Sequence, residues 1–511
     1  MPSISNYQRS SGVLLPLTSL PGPFGIGDLG PMAIYWIDTL ATARQVWWQL
    51  LPVGPTGFGD SPYQSPSTFA GNLNLISPEV LRTDDLASAT DVAAVELPEG
   101  PIEYTAVIQA KRQIISTAFK RFQAGDAPNL QAPFRQFLER ESNWVNDFAL
   151  FAAVKDRFGG SPWWLWPKPL AFRDLGSIAA VAKELADQVH AQQFGQFLFF
   201  RQWATLRTYA ASRGIRLLGD LPIYVAEDSA DVWCHPDLFM LDANRRPIFV
   251  AGVPPDYFSQ TGQLWGNPLY NWEAHHQTSF CWWIDRMRAA LRLFDQIRVD
   301  HFRGIEAFWA VPAGDHTAEG GQWLPGPRDL LLGALRNAIG SLPVVAEDLG
   351  FITPGVDELR ERFGLPGMRI LQFAFGGAVE GRFLPHRFTR DLLVTTGTHD
   401  NDTTRSWLDG LTGVERQTFE AYVPGADRDP VWSLIRTAWA SVSEQAITPL
   451  QDLLGLGSAA RMNTPGKASG NWRWRATVAD VVNPIWAEQL AAYSRVYERV
   501  GPEPALGCRG T

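Results

Sequence analysis

Four short apolar runs in this chain each stop at an acid, and that grammar narrows the folds open to it. They are Leu217-Leu-Gly-Asp220, Arg298-Val-Asp300, Val344-Val-Ala-Glu347-Asp348 and Val394-Thr-Thr-Gly-Thr-His399-Asp400. They belong to a larger set of strand-length runs, at 12–15, 46–51, 215–218, 297–299, 343–346, 369–373 and 392–395, in which β-branched and aromatic residues are common. Between many of them lie helix-like stretches, such as 288–294 and 329–339, whose apolar residues recur at three and four. Short buried strands alternating with helices predict βαβ units and a parallel sheet.

Two regions break this rhythm. Residues 81–200 read as a mostly helical insertion, with helical patterns at 102–122, 132–158 and 178–199 and a proline-rich connector, SPWWLWPKP, at 161–169. Residues 226–280 read as a long loop region near the active site, weak in periodicity between 231 and 272 and rich in Gly, Pro and aromatics.

Charge and cysteine content remove several function classes. Lys and Arg total 44 against 53 Asp and Glu, a net charge of −9, which argues against a phosphate-backbone binder and so against a nucleic-acid partner. Cys234, Cys281 and Cys508 are far apart and form no CxxC, so neither a disulfide framework nor a zinc site is expected. The first ten residues lack an apolar signal core, and no run approaches the roughly 18 apolar residues that a membrane span needs. The expectation is a cytoplasmic protein with no membrane partner. The 21 tryptophans can fill a core, and they can also line a groove for the flat faces of a sugar.

Some motifs mislead. Gly25-Ile-Gly-Asp-Leu-Gly30 fits GxGxxG, but the proline-broken Pro21-Gly-Pro23 precedes it, Leu50 stands where the acid belongs, and Asp28 would repel a pyrophosphate. Gly466-Lys467 lacks the earlier glycine of a phosphate loop, because Arg461 occupies that place.

In a parallel barrel every strand C-terminus points to one face, where residues from several strands converge. Asp220, Asp300, Glu347 and Asp400 can therefore share a pocket with Arg298 and His399, although each acid alone could cap a following helix. Clustered carboxylates without a Cys/His set suit glycosyl transfer. One attacks the anomeric carbon and a protonated one serves the leaving oxygen, about 5–5.5 Å away in retaining enzymes. Arg298, two residues before Asp300, faces the same side of a strand and would hold it ionised. Crowding by other acids and partial burial would raise Glu347. A divalent-cation site is the rival use of such acids, and Arg298 in the cluster works against it. No metal and no cofactor is expected.

At these residues the sequence resembles the amylomaltases, or 4-α-glucanotransferases (disproportionating enzyme), of the α-amylase superfamily. The resemblance runs nearly end to end, through Gly12-Val-Leu-Leu-Pro-Leu-Thr-Ser-Leu-Pro-Gly, Gly59-Asp-Ser-Pro-Tyr63-Gln-Ser, Gly219-Asp220-Leu-Pro-Ile-Tyr-Val, Gly262-Gln-Leu-Trp265-Gly-Asn-Pro-Leu-Tyr, Arg298-Val-Asp300-His-Phe-Arg-Gly, Ala346-Glu347-Asp-Leu-Gly, Gly397-Thr-His399-Asp400-Asn-Asp-Thr and Arg461-Met-Asn463-Thr-Pro-Gly. It implies a single (β/α)8 TIM barrel over 1–511, with the helical insertion and long βα loops over its C-terminal face. It implies transfer of α-1,4-glucan segments between maltooligosaccharides or amylose by retaining double displacement. Asp300 matches the nucleophile, Glu347 the acid/base and Asp400 the transition-state stabiliser. Tyr63 matches a residue stacking on the donor sugar, and Asp220, Arg298 and His399 match donor-site contacts. Trp265 matches a loop covering the bound glucan, with Tyr257 and Phe258 beside it, and Asn463 a late loop facing the site. Lys467 departs from the small polar residue expected after Pro-Gly.

The alternatives are an α-1,4-glucan hydrolase on the same scaffold and a non-catalytic glucan-binding protein; the latter is disfavoured because all three acids are present. Trp163, Trp164 and Trp166 read as packing rather than as a glucan-binding surface, and Trp47 and Trp48 as core.

Overall fold

The structure, a computed structural model, describes residues 9–255, 259–375 and 381–500. In chain order its strands are β1 (Ser10–Leu14), β2 (Trp47–Gln49), β3 (Arg216–Leu221), β4 (Phe249–Val253), β5 (Gln263–Pro268), β6 (Gln296–Val299), β7 (Ala307–Pro312), β8 (Gln322–Pro325), β9 (Val344–Ala346), β10 (Gly367–Ile370), β11 (Leu392–Thr395) and β12 (Gln445–Pro449). Eight of them form a sheet in the order β10-β11-β12-β1-β2-β3-β6-β9, every pairing parallel. The ends of that order meet, and the Ala346 N–H donates to the Pro366 carbonyl across the seam at 2.8 Å. This is the expected barrel. The seven strand-like runs of the sequence fall on seven of its strands, and β12 is an eighth that the sequence reading did not find.

Strand alternation makes two apolar layers, because successive side chains leave a strand on opposite sides. Leu14, Trp47, Leu218, Val345, Met368, Leu393 and Ile447 pack together as one buried cluster, whereas their neighbours Val13, Trp48, Leu217, Val344, Val394 and Ala446 join the larger cluster with the surrounding helices. Both tryptophans of β2 are thus core. Gly12 is required where β1 meets β2, since a Cβ there would lie 2.2 Å from the Trp47 carbonyl oxygen.

The remaining strands form an antiparallel sheet in the order β5-β4-β7-β8. Residues 226–280, read as loop, therefore contain β4 and β5. The signal was weak because β5 is exposed through most of Gln263–Gly266 and has no apolar face to alternate. Between β2 and β3 come helices Tyr104–Ala124, Gln131–Arg140, Val145–Arg157, Leu175–Glu184 and Ala186–Ser212. The last runs unbroken through residue 200 toward β3, and its Tyr209 hydroxyl donates to Asp38 of helix Pro31–Thr42 at 2.8 Å. In the connector Trp163 and Trp166 are buried, and Trp164 lies against the Arg246 guanidinium, 4.0 Å from its ring centre.

The GxGxxG segment has a packing role. Asp28 accepts from the buried Lys111 ammonium and from the Gly30 N–H, each at 3.0 Å, tying helix Tyr104–Ala124 to the start of helix Pro31–Thr42. Among the described residues, no helix is long and apolar enough to cross a membrane.

Candidate active site

The barrel's strand ends bring the acids together. In the register of β3 and β6, Asp220 lies opposite Arg298. The guanidinium is buried and donates to Asp220 Oδ2 at 2.6 Å and to Asp300 Oδ1 at 2.7 Å. Burial opposes the Arg298 charge, yet Asp220 and Asp300 together push its pKa well above the usual arginine value. Asp220 is buried, which raises its pKa, and Arg298 pulls the other way. The Asp300 side chain is 29% exposed, so this acid opens toward the cleft while one oxygen stays fixed by Arg298.

Glu347 follows β9 directly. Its Oε2 accepts the His301 N–H at 2.7 Å and its Oε1 accepts the Leu349 N–H at 3.0 Å. Both bonds favour the carboxylate form, and Arg298 favours it too. Burial outweighs them and lifts the pKa to about 8, with Asp300 adding to the rise. Crowding by acids and partial burial are both expected from the sequence, and in the structure loss of solvent leads.

Asp400 comes from the turn after β11. Its Oδ1 accepts the Asn463 amide N–H at 2.6 Å, and His399 Nε2 stands 3.3 Å from Oδ2. Burial would raise this carboxyl, but His399 and the Asn463 bond hold it far below the ordinary aspartate range. The same pairing raises His399 against its own burial. Asn463, expected as a substrate contact from a late loop facing the site, holds Asp400 in the structure, and its own N–H donates to the His399 carbonyl at 3.1 Å. Tyr63 closes the ring of contacts. Its hydroxyl donates to Asp220 Oδ2 at 2.7 Å, and its ring stacks on His399 with centres 5.0 Å apart.

Trp265, on β5, meets the His301 ring edge-on at 4.8 Å, beside Asp300. Tyr257 and Phe258 lie outside the described residues. Lys467 sits in an exposed turn, its N–H donating to the Thr464 carbonyl at 3.1 Å.

The sequence reading missed Trp472 and Arg461. Trp472 backs both Tyr63 and His399, at 5.8 and 5.9 Å. The Arg461 guanidinium donates to the Asp400 and Asn463 carbonyls, each at 2.6 Å. Asn-Trp and Arg-Met carry no chemical signal by themselves; only the Arg461-Met-Asn463 phrase hinted at the loop. Conversely Asp348, next to Glu347, is wholly buried among arginines and does not join the cleft acids.

A family model described as 4-alpha-glucanotransferase matches residues 15–480. The chain belongs to the 4-alpha-glucanotransferase family. It is 45% identical over 500 residues to the 4-alpha-glucanotransferase of Thermus thermophilus, covering 96% of this chain and 99% of the relative. It is likewise 45% identical over 502 residues to that of Synechocystis sp., covering 96% and 98%. Its structure matches that of an amylomaltase from Streptococcus agalactiae in complex with acarbose, with a TM-score of 0.92, 36% identity, and coverage of 97% of this chain and all of the other. An amylomaltase from Corynebacterium glutamicum, 20% identical with a TM-score of 0.77 over 95% and 75% of the two chains, shares the fold. The chain is accordingly an enzyme of glucan transfer, and the plain hydrolase is the less favoured of the two readings.

Proposed function

We propose that this glucanotransferase works by retaining double displacement with Asp300 as nucleophile, Glu347 as acid/base and Asp400 as stabiliser, on α-1,4-glucans and maltooligosaccharides as both donor and acceptor. The observation that carries the proposal is the contrast between the acids. Asp300 faces the cleft with one oxygen bound to Arg298, while Glu347 is buried and holds a proton near neutral pH. An acid paired with a guanidinium beside a buried acid that keeps its proton divides the roles of attack and proton transfer.

In the first step the free oxygen of Asp300 attacks the anomeric carbon. Glu347 gives its proton to the glycosidic oxygen, and the glucan beyond that bond departs as an alcohol. Asp400, kept anionic by His399 and Asn463, accepts hydrogen bonds from sugar hydroxyls as the ring flattens, and Tyr63 supplies a flat face for that ring. In the second step the Glu347 carboxylate takes the proton of an acceptor 4-hydroxyl, whose oxygen attacks the same carbon and releases Asp300. Two inversions restore the α-configuration. Transfer outruns hydrolysis because Trp265, packed on His301 beside the nucleophile, offers an apolar face that positions an acceptor sugar and hinders water. No step needs a cofactor. The setting proposed is cytoplasmic starch, glycogen and maltose metabolism.

Maltotriose as sole substrate tests the reaction: glucose together with chains longer than three units supports transfer, and a steady rise in reducing ends with no longer chains refutes it.

A further inference from the structure

We propose that Asp348 is a positioning residue for the acid/base: its carboxylate clasps the barrel seam next to Glu347 and balances the charge of three arginines at that point. The proposal rests on the reading of Glu347 given above.

β9 and β10 stand at opposite ends of the strand order, so the barrel must be closed where they meet. The Ala346 N–H reaches the Pro366 carbonyl at 2.8 Å. Two residues on, the Met368 N–H donates to Asp348 Oδ1 at 2.7 Å, so a side chain takes over the closure. The socket is shaped for it. A Cβ on Gly367 would stand 2.6 Å from Asp348 Oδ2, so the glycine makes room for the carboxylate. Arg369 Nη1 donates to both Asp348 oxygens at 3.1 and 3.0 Å, Arg382 Nη2 to Oδ2 at 3.1 Å, and Arg360 Nε lies 3.7 Å from Oδ2. Arg360 also meets Asp391 at 2.9 Å and Glu361 at 3.4 Å, and Arg382 meets Asp357 at 3.7 Å. Among the described residues Arg369 has no acid but Asp348.

A buried carboxylate at the centre of three guanidiniums fixes geometry and potential together, because charges interact strongly where water is excluded. Glu347, the adjacent residue, feels both. On its cleft side it faces Arg298, Asp300 and the His301 N–H, with Asp220, Tyr63, His399 and Asp400 beyond them; on the seam side it has Asp348 and, behind that, Arg360, Arg369 and Arg382. Removing the Asp348 charge leaves the arginine field unopposed, and that field favours the ionised form of Glu347.

The test is the pH profile of kcat/KM on maltotriose for Asp348→Asn, Asp348→Glu and wild type. In Asp348→Asn the basic limb moves down by about one pH unit, and Asp348→Glu restores it. Turnover of α-glucosyl fluoride, whose leaving group needs no proton, falls far less than turnover of maltotriose, a difference that general loosening of the fold would not produce. A folded Asp348→Asn protein whose basic limb stays in place overturns the proposal. Should that protein fail to fold, Arg382→Gln removes one cation from the partly exposed side and moves the limb upward; a limb that does not move overturns the proposal equally. Glu347→Gln separates the two readings, because a basic limb that survives in it condemns the acid/base assignment rather than the role of Asp348.

Discussion

At the scale of single residues, partners decide what each acid does. Asp300 is held by one charged hydrogen bond and opens to the cleft, so Asp300→Asn, which cannot form the glycosyl ester, should lower kcat by about 10⁴-fold or more with the fold intact. Steady-state rates together with circular dichroism check both halves. Glu347 carries a cost for its function. Burial lifts it from 4.5 to about 8, so the folded state keeps a proton there that the unfolded chain has lost. The unfolded chain then binds fewer protons than the native state between those pH values, and stability falls as pH rises through that window. Glu347→Gln removes the penalty. Its melting temperature relative to wild type should climb from pH 5 to pH 8 and level off above, whereas a constant gap would contradict the raised pKa. The alternation Arg298-Val-Asp300 makes the Arg298–Asp300 pair legible in sequence, since two residues on a strand share a face. The different fates of Glu347 and Asp348 were not legible: they are adjacent acids, and only the arginines from helix Pro354–Arg362, β10 and the following loop separate them.

At the scale of elements, strand ends were readable and their supports were not. Runs that close on an acid disclosed β3, β6, β9 and β11. β12 escaped because its five residues, Gln445–Pro449, include polar groups and end in proline, although all five are buried. The antiparallel sheet escaped for the reason seen in β5, whose outer residues face solvent. That sheet matters because it presents Trp265 to His301, the residue after Asp300. Trp265→Ala should raise the fraction of donor lost to water, measured as reducing ends formed per glucose released from maltotriose. An unchanged ratio would remove Trp265 from the acceptor side. Asn463 shows a similar limit: its bond to Asp400 spans 63 positions, and no local pattern announces it.

At the scale of the molecule, the helices between β2 and β3 are locked to the barrel rather than appended to it. The buried Lys111 meets the largely buried Asp28 across that junction at 3.0 Å. Lys111→Met leaves the Asp28 charge without its cation, and breaking such a pair costs about 3–5 kcal/mol. Denaturant unfolding at neutral pH should show that loss, and a change within error would mean that the junction does not rely on the pair. On the proposed mechanism the barrel holds three acids, far apart in the chain, around one sugar ring, and a single one of them forms a bond to it. The direct measurement is to trap that bond: incubate the enzyme with a slow fluorinated glucosyl fluoride, digest it, and locate the added sugar by mass spectrometry. The label is expected on Asp300 and lost in Asp300→Asn; a label on Asp220 or Asp400, or none while the fluoride turns over, would refute Asp300 as the attacking group.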